Sequence, residues 1–203
     1  PEARIRPIRD TLGRNGALLA LAATAHHALR PTPDAALPDL IVGHGVLGRL
    51  LARLAIALGE TGVTVWETDA CRRSGEHGYP VLHPDDDERR DYARILDASG
   101  DSAILDSLVM RLARNGEIVL AGFYAQPMTF TFPPAFMREA AIRIVAEWQP
   151  RDLKAVKSLI DSGALSLADL ITHRAPASAA GDAYPTAFTD PNCLKMVLDW
   201  RNV

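Results

Sequence analysis

Gly43-His44-Gly45-Val46-Leu47-Gly48 sets three glycines in G-x-G-x-x-G spacing. The turn follows the apolar run Leu40-Ile41-Val42 and opens a stretch with helical apolar period, the context that gives such spacing its meaning. Each glycine has a task. Gly43 makes the tight turn out of a strand, Gly45 lets backbone approach a pyrophosphate with no Cβ in the way, and Gly48 lets the helix pack close to the strand. Val46 and Leu47, in the first helical turn, offer backbone N–H groups at the positive end of the helix dipole. Glu67 follows Gly48 by 19 positions, near the ~20 at which an acid accepts hydrogen bonds from an adenosine ribose. A carboxylate there repels a 2′-phosphate, so the pattern favours NAD over NADP. Arg72 and Arg73 could welcome that phosphate, but they stand five and six positions past Glu67 and are discounted. The plain alternative is a strand-to-helix turn with a solvated acid at the next strand's end.

Other residues carry weaker signals. Asp97-Ala98-Ser99-Gly100 closes a strand, so Ser99 either lines a cofactor cleft or caps a turn. Gly122-Phe123-Tyr124 has the same standing: Phe123 or Tyr124 flanks a nicotinamide or covers the sheet end. His26 and His27 are adjacent on a helix, pointing about 100° apart, which fits one buried and one exposed histidine better than a shared metal. Asp85-Asp86-Asp87-Glu88 reads as a solvated loop neutralised by Arg89 and Arg90. Phe130, Phe132, Pro133, Pro134, Phe136 and Met137 pack a core, sit in a dimer interface or receive a large flat substrate, with burial as the default. No metal-ligand cluster and no nucleophile–base pair stands out.

The elements that must position these residues follow from periodicity. Residues 17–29 form an Ala- and Leu-rich helix stopped by Arg30-Pro31. Strands are expected at 40–42, 63–66 and, weakly, 79–82, with a fourth around Ile95-Leu96, a fifth at 118–121 and a sixth at 142–146. Helical stripes run over 46–58, from Ile104 to Leu112 and from Leu153 to Ile160, with a helix turn at 137–141. Strands alternating with helices give an α/β fold, a doubly wound Rossmann-type parallel sheet of about six strands with helices on both faces.

Composition bounds the rest. The chain has 203 residues, with 22 Lys+Arg against 25 Asp+Glu and 48% apolar residues. That is ordinary globular usage without the basic surplus of a nucleic-acid binder. No apolar run of ~20 residues exists to span a bilayer, and no apolar signal core follows Pro1, so a cytoplasmic protein is expected. Cys71 and Cys193 lie far apart, a reducing-compartment pattern.

The order of the segments resembles the medium-chain dehydrogenase/reductase family. Thr24-Ala25-His26-His27-Ala28-Leu29, the Gly43 to Gly48 turn, Glu67, Asp97-Ala98-Ser99-Gly100, Gly116-Glu117-Ile118-Val119-Leu120-Ala121-Gly122 and Leu170-Ile171-Thr172-His173 all stand in the family's order. Residues 20–48, 123–150 and 165–200 resemble the branch that oxidises the ring-A hydroxyethyl group of a bacteriochlorophyllide to acetyl with NAD. Pro133-Pro134-Ala135-Phe136-Met137-Arg138-Glu139 and Ala146-Glu147-Trp148-Gln149-Pro150 carry that likeness most specifically. The resemblance implies a bacteriochlorophyllide-type small-molecule substrate. It implies cofactor contacts at Gly43, Gly45, Val46, Leu47, Gly48, Glu67 and Ser99, and a homodimer joined along the sixth-strand edge. It divides the chain into a connecting segment at 1–30, an NAD-binding domain at 31–165 and a segment at 166–203 returning toward a catalytic domain. That catalytic domain, with the zinc ligands of many members, has no counterpart here, so no catalytic or metal-binding residue carries over and this chain alone is expected to be inactive. Competing readings are a quinone reductase or sugar-alcohol dehydrogenase of the same family, a methyltransferase, and a nucleotide-sensing module.

Overall fold

The computed structural model describes residues 10–201; the polar start at Pro1 lies outside the described residues. Six parallel strands form one sheet: β1 (Leu40–Val42), β2 (Thr64–Trp66), β3 (Val81–Leu82), β4 (Tyr92–Asp97), β5 (Leu112–Leu120) and β6 (Ala141–Ile144). Their spatial order is β3-β2-β1-β4-β5-β6. The order reverses between β1 and β4, and in open α/β sheets ligands bind beyond the strand ends at such a reversal. The expected Rossmann-type architecture is therefore present.

Strand alternation builds two cores. Ile41, Val65, Leu96 and Val119 point to one face, under α1 (Leu19–Leu29), α2 (Val46–Ala57) and α6 (Pro150–Asp161). Leu40, Val42, Trp66, Ile95 and Ile118 point to the other, under α4 (Leu105–Arg111) and α5 (Phe132–Arg138). Successive strand residues face opposite ways, so apolar runs with no polar alternation need helices on both sides. The short α3 (Ala70–Arg73) follows β2, capped by the Asp69 carboxylate on Cys71 N and Arg72 N. After α6, β7 (His173–Pro176), α7 (Ala180–Thr189) and β8 (Met196–Asp199) make a small parallel pair with its own crossover.

Five expectations need correction. The helix near Met137 starts earlier, at Phe132, because Pro133 and Pro134 fall in its first turn, where a missing N–H costs nothing. Its large apolar residues are not buried: Phe132 is 64% exposed, Phe136 65% and Met137 71%. The fifth strand begins at Leu112 rather than 118; it passes Asn115 at φ 60° through a bulge that shifts its register on β4. His26 and His27 do not divide into buried and exposed. Both Nδ1–H groups donate to one fully buried carboxylate, Asp152, at 2.8 and 3.1 Å. Asp87 is not solvated either: it is buried and accepts from Trp66 Nε1 at 2.6 Å and the Tyr92 hydroxyl at 2.5 Å.

Candidate functional site

The Gly-rich turn leaves β1 at Gly43, whose N–H stays in the sheet by donating to Trp66 O at 2.8 Å. Gly43 has φ +93°, and a Cβ on it would press on Ser99 Cα at 3.0 Å. Gly48 is stricter, since its Cβ would stand 1.8 Å from Gly43 O. Both glycines are demanded by the protein's own packing. Gly45 is different. It is the N-cap of α2 at φ −71°, and a Cβ there would meet nothing within 4 Å. No side chain caps this helix. Packing gives no reason for a glycine at 45, and a backbone without Cβ before an uncapped helix N-terminus leaves room for a phosphate. Val46 and Leu47 put their side chains against the core, so what they offer a ligand is backbone N–H.

Glu67 directly follows β2 and is buried. Its Oε2 accepts from His44 N at 2.9 Å and its Oε1 from Asp69 N at 2.9 Å, so the carboxylate ties the glycine turn to the β2–α3 loop. An ionised carboxylate has about four lone-pair sites, which leaves acceptor capacity for ribose hydroxyls. A cleft of about 340 Å³ opens beside it, floored by Gly43 and Trp66 and walled by Thr68, Arg72, Pro84, Ser99, Asp101 and Ile104. The cleft spans the ends of β1, β2 and β4, the reversal point of the sheet. Gly43, Glu67 and Ser99 thus line one cavity, with Gly45 to Gly48 forming the adjoining turn. Ser99 also serves as turn residue: its N–H donates to Asp97 Oδ1 at 2.9 Å, and its Oγ accepts from Asp101 N at 3.1 Å.

Three features escape sequence reasoning. First, His44 is fully buried. Its Nδ1–H donates to Arg72 O at 2.7 Å and its Nε2 accepts from the Tyr79 hydroxyl at 2.9 Å, which fixes the neutral tautomer. Burial lowers its pKa from 6.5 to about 4, helped by the Arg49 charge. An x in G-x-G-x-x-G carries no signal that could have singled it out. Second, the discounted Arg72 stands on the cleft wall with Glu67, because the four-residue α3 folds it back, and its Nε donates to Pro191 O at 3.1 Å. Arg73 instead holds the carbonyls of Glu67 at 3.0 Å and Thr68 at 2.5 Å. Third, Lys195, from far along the chain, lines a second hollow of about 320 Å³ together with Val46, the first residue of α2, and with Tyr184 and Phe188.

Asp97, at the end of β4, is fully buried, and burial raises its pKa. The Tyr124 hydroxyl donates to its Oδ2 at 2.7 Å; burial, with the Asp97 charge, raises the phenol's pKa and keeps it a donor. Phe123, next to it, is 91% exposed. Among the described residues no group of three or more His, Cys, Asp or Glu side chains could hold a metal.

No family model matches the chain. It is 63% identical over 201 residues, 99% of its length, to the 2-desacetyl-2-hydroxyethyl bacteriochlorophyllide A dehydrogenase of Cereibacter sphaeroides. It is 59% identical over 200 residues, 98% of its length, to the protein of the same name in Rhodobacter capsulatus. The chain spans 63% of the length of each of these curated relatives. Among solved structures, one described as a short chain alcohol dehydrogenase from Escherichia coli CFT073 complexed with NADH matches its fold at a TM-score of 0.78 and 18% identity, covering 90% of this chain and 58% of that one. Along nearly its whole length the chain is thus similar in sequence to two curated dehydrogenases, and it shares its fold with solved dehydrogenase structures.

Proposed function

We propose that this chain is the coenzyme-binding part of an NAD-dependent dehydrogenase that oxidises the ring-A hydroxyethyl group of a bacteriochlorophyllide to acetyl. The observation that carries the coenzyme reading is Gly45, a glycine with no packing reason of its own at an uncapped helix N-terminus. The residues present fit a dinucleotide. Its pyrophosphate lies on the N–H groups of Val46, Leu47 and Gly48 with Lys195 alongside, and its adenosine ribose reaches Glu67. Glu67 beside the ribose favours NAD; Arg72 on the same wall is the residue that would tolerate a 2′-phosphate. When bound, the coenzyme supplies the hydride acceptor, and this chain's residues orient it and exclude water from its adenosine end.

The pigment substrate rests on the identity to the two curated relatives. In the division that goes with it, residues 31–165 hold the coenzyme, and 1–30 and 166–203 lead from and return to a catalytic domain. α1, although in the first of these segments, contributes Leu19, Ala22, Ala25 and Leu29 to the main core. We also place the protein in the cytoplasm, in keeping with two free cysteines and no helix among the described residues long and apolar enough to cross a membrane. Its homodimer forms along the open edge of β6, where all four residues are exposed and Phe132 and Phe136 stand nearby around a hollow of about 660 Å³. For the substrate, a strain deleted for this coding region should accumulate a pigment that keeps the hydroxyethyl group. Acetyl-bearing pigment at wild-type level would overturn that assignment.

A further inference from the structure

The loops after β4 and β5 meet through two glycines and one phenol. Gly100, at φ +76°, lies so close to the next loop that a Cβ on it would stand 3.3 Å from Phe123 O. A Cβ on Gly122 would stand 3.1 Å from the Tyr124 hydroxyl and 3.3 Å from Gly100 N. Ala121 N and Gly122 N both donate to Asp97 O, at 2.8 and 3.1 Å. The Tyr124 ring folds back over this junction, and its hydroxyl reaches the Asp97 carboxylate at 2.7 Å, whose other oxygen takes Ser99 N at 2.9 Å. One buried carboxylate therefore holds both loops at once. A dinucleotide with its adenosine at Glu67 and its pyrophosphate at the α2 N-terminus has one direction left, across the reversal point to the ends of β4 and β5.

We infer that Tyr124 and Asp97 form a latch that fixes the 121–124 loop against the 98–100 loop, making a rigid seat for the nicotinamide half of the coenzyme. Tyr124 is a positioning residue: it acts through the loops it joins. The inference rests on the dinucleotide reading above and adds which residues of this chain orient the reactive end. Tyr124→Phe removes the hydroxyl from Asp97 Oδ2 but leaves Ser99 N on Oδ1, so the wall facing Glu67 keeps its anchor.

The test is binding of NADH, followed by its fluorescence, beside binding of ADP-ribose, which lacks the nicotinamide. Tyr124→Phe should weaken NADH by about 10-fold and lose much of the bound-state fluorescence gain, with ADP-ribose affinity held within about two-fold. Gly122→Ala, which pushes on the phenol with its hydroxyl still present, should give the same selective loss, and it serves in place of Tyr124→Phe if that variant fails to fold. Equal loss of both ligands, or loss of neither, would overturn the latch while leaving the dinucleotide reading intact. Wild-type chain that binds neither NADH nor ADP-ribose would overturn both.

Discussion

Gly45 and Gly48 are one amino acid type three positions apart, and the structure asks different things of them. Gly48→Ala drives a Cβ into Gly43 O and should cost several kcal/mol, read as a lowered urea midpoint or loss of soluble protein. Gly45→Ala puts its methyl into open space, so the chain should keep its stability while NAD affinity falls about 10-fold or more. Equal stability with unchanged affinity would remove the turn from the site. His44 makes a pH prediction. Folded, it takes a proton only at about 4; an unfolded chain takes it at 6.5. Above 6.5 neither state binds the proton. Between the two values only the unfolded state does, so the native state loses stability as pH falls through this window, by up to about 3 kcal/mol. His44→Asn should lose less than wild type over the same range in urea melts; parallel losses would show that other groups dominate. The glycines and Glu67 were legible because turn geometry dictates residue type and spacing. His44, Arg72 and Lys195 were not, since their roles depend on partners 28, 5 and about 150 positions away, which only the fold brings near.

Among the elements, α1 and α6 are joined by a polar contact inside an otherwise apolar seam. Asp152 sits in the first turn of α6, accepts Gln149 N at 2.7 Å as part of a capping box, and takes both His26 and His27 from α1. Asp152→Ala would leave two imidazole N–H groups and one amide without their acceptor in a buried site. It should destabilise the chain by on the order of 3 kcal/mol in chemical denaturation. A change under about 0.5 kcal/mol, the size of an ordinary surface substitution, would show that water replaces the carboxylate at no cost. The helices and the parallel sheet were readable because their apolar periods are long and unbroken. α5 was misplaced because Pro133-Pro134 reads as a break, although proline is well suited to a first helical turn. The exposure of its aromatics could not be read at all. An apolar stripe looks the same in sequence whether it meets its own core or an open flank of the molecule.

For the whole molecule that flank is the open edge of β6, with Ile142 and Ile144 on the strand and Phe132 and Phe136 beside it. An unprotected apolar edge strand is a ready template for pairing with another chain. Light scattering should therefore give twice the chain mass, and Ile144→Arg should give the single mass. A wild-type monomer at high concentration would rule out the edge as an interface. Fold and glycine turn stand on residues spread along the chain, and the proposal that joins them is that this molecule holds a dinucleotide at the reversal point of its sheet. Calorimetric titration with NAD, beside NADP and S-adenosylmethionine, tests it most directly. The prediction is saturable binding of one NAD per chain, tighter than NADP and lost in Gly45→Ala, with no heat from the methyl donor. Binding of S-adenosylmethionine alone, or of no nucleotide at all, would contradict it.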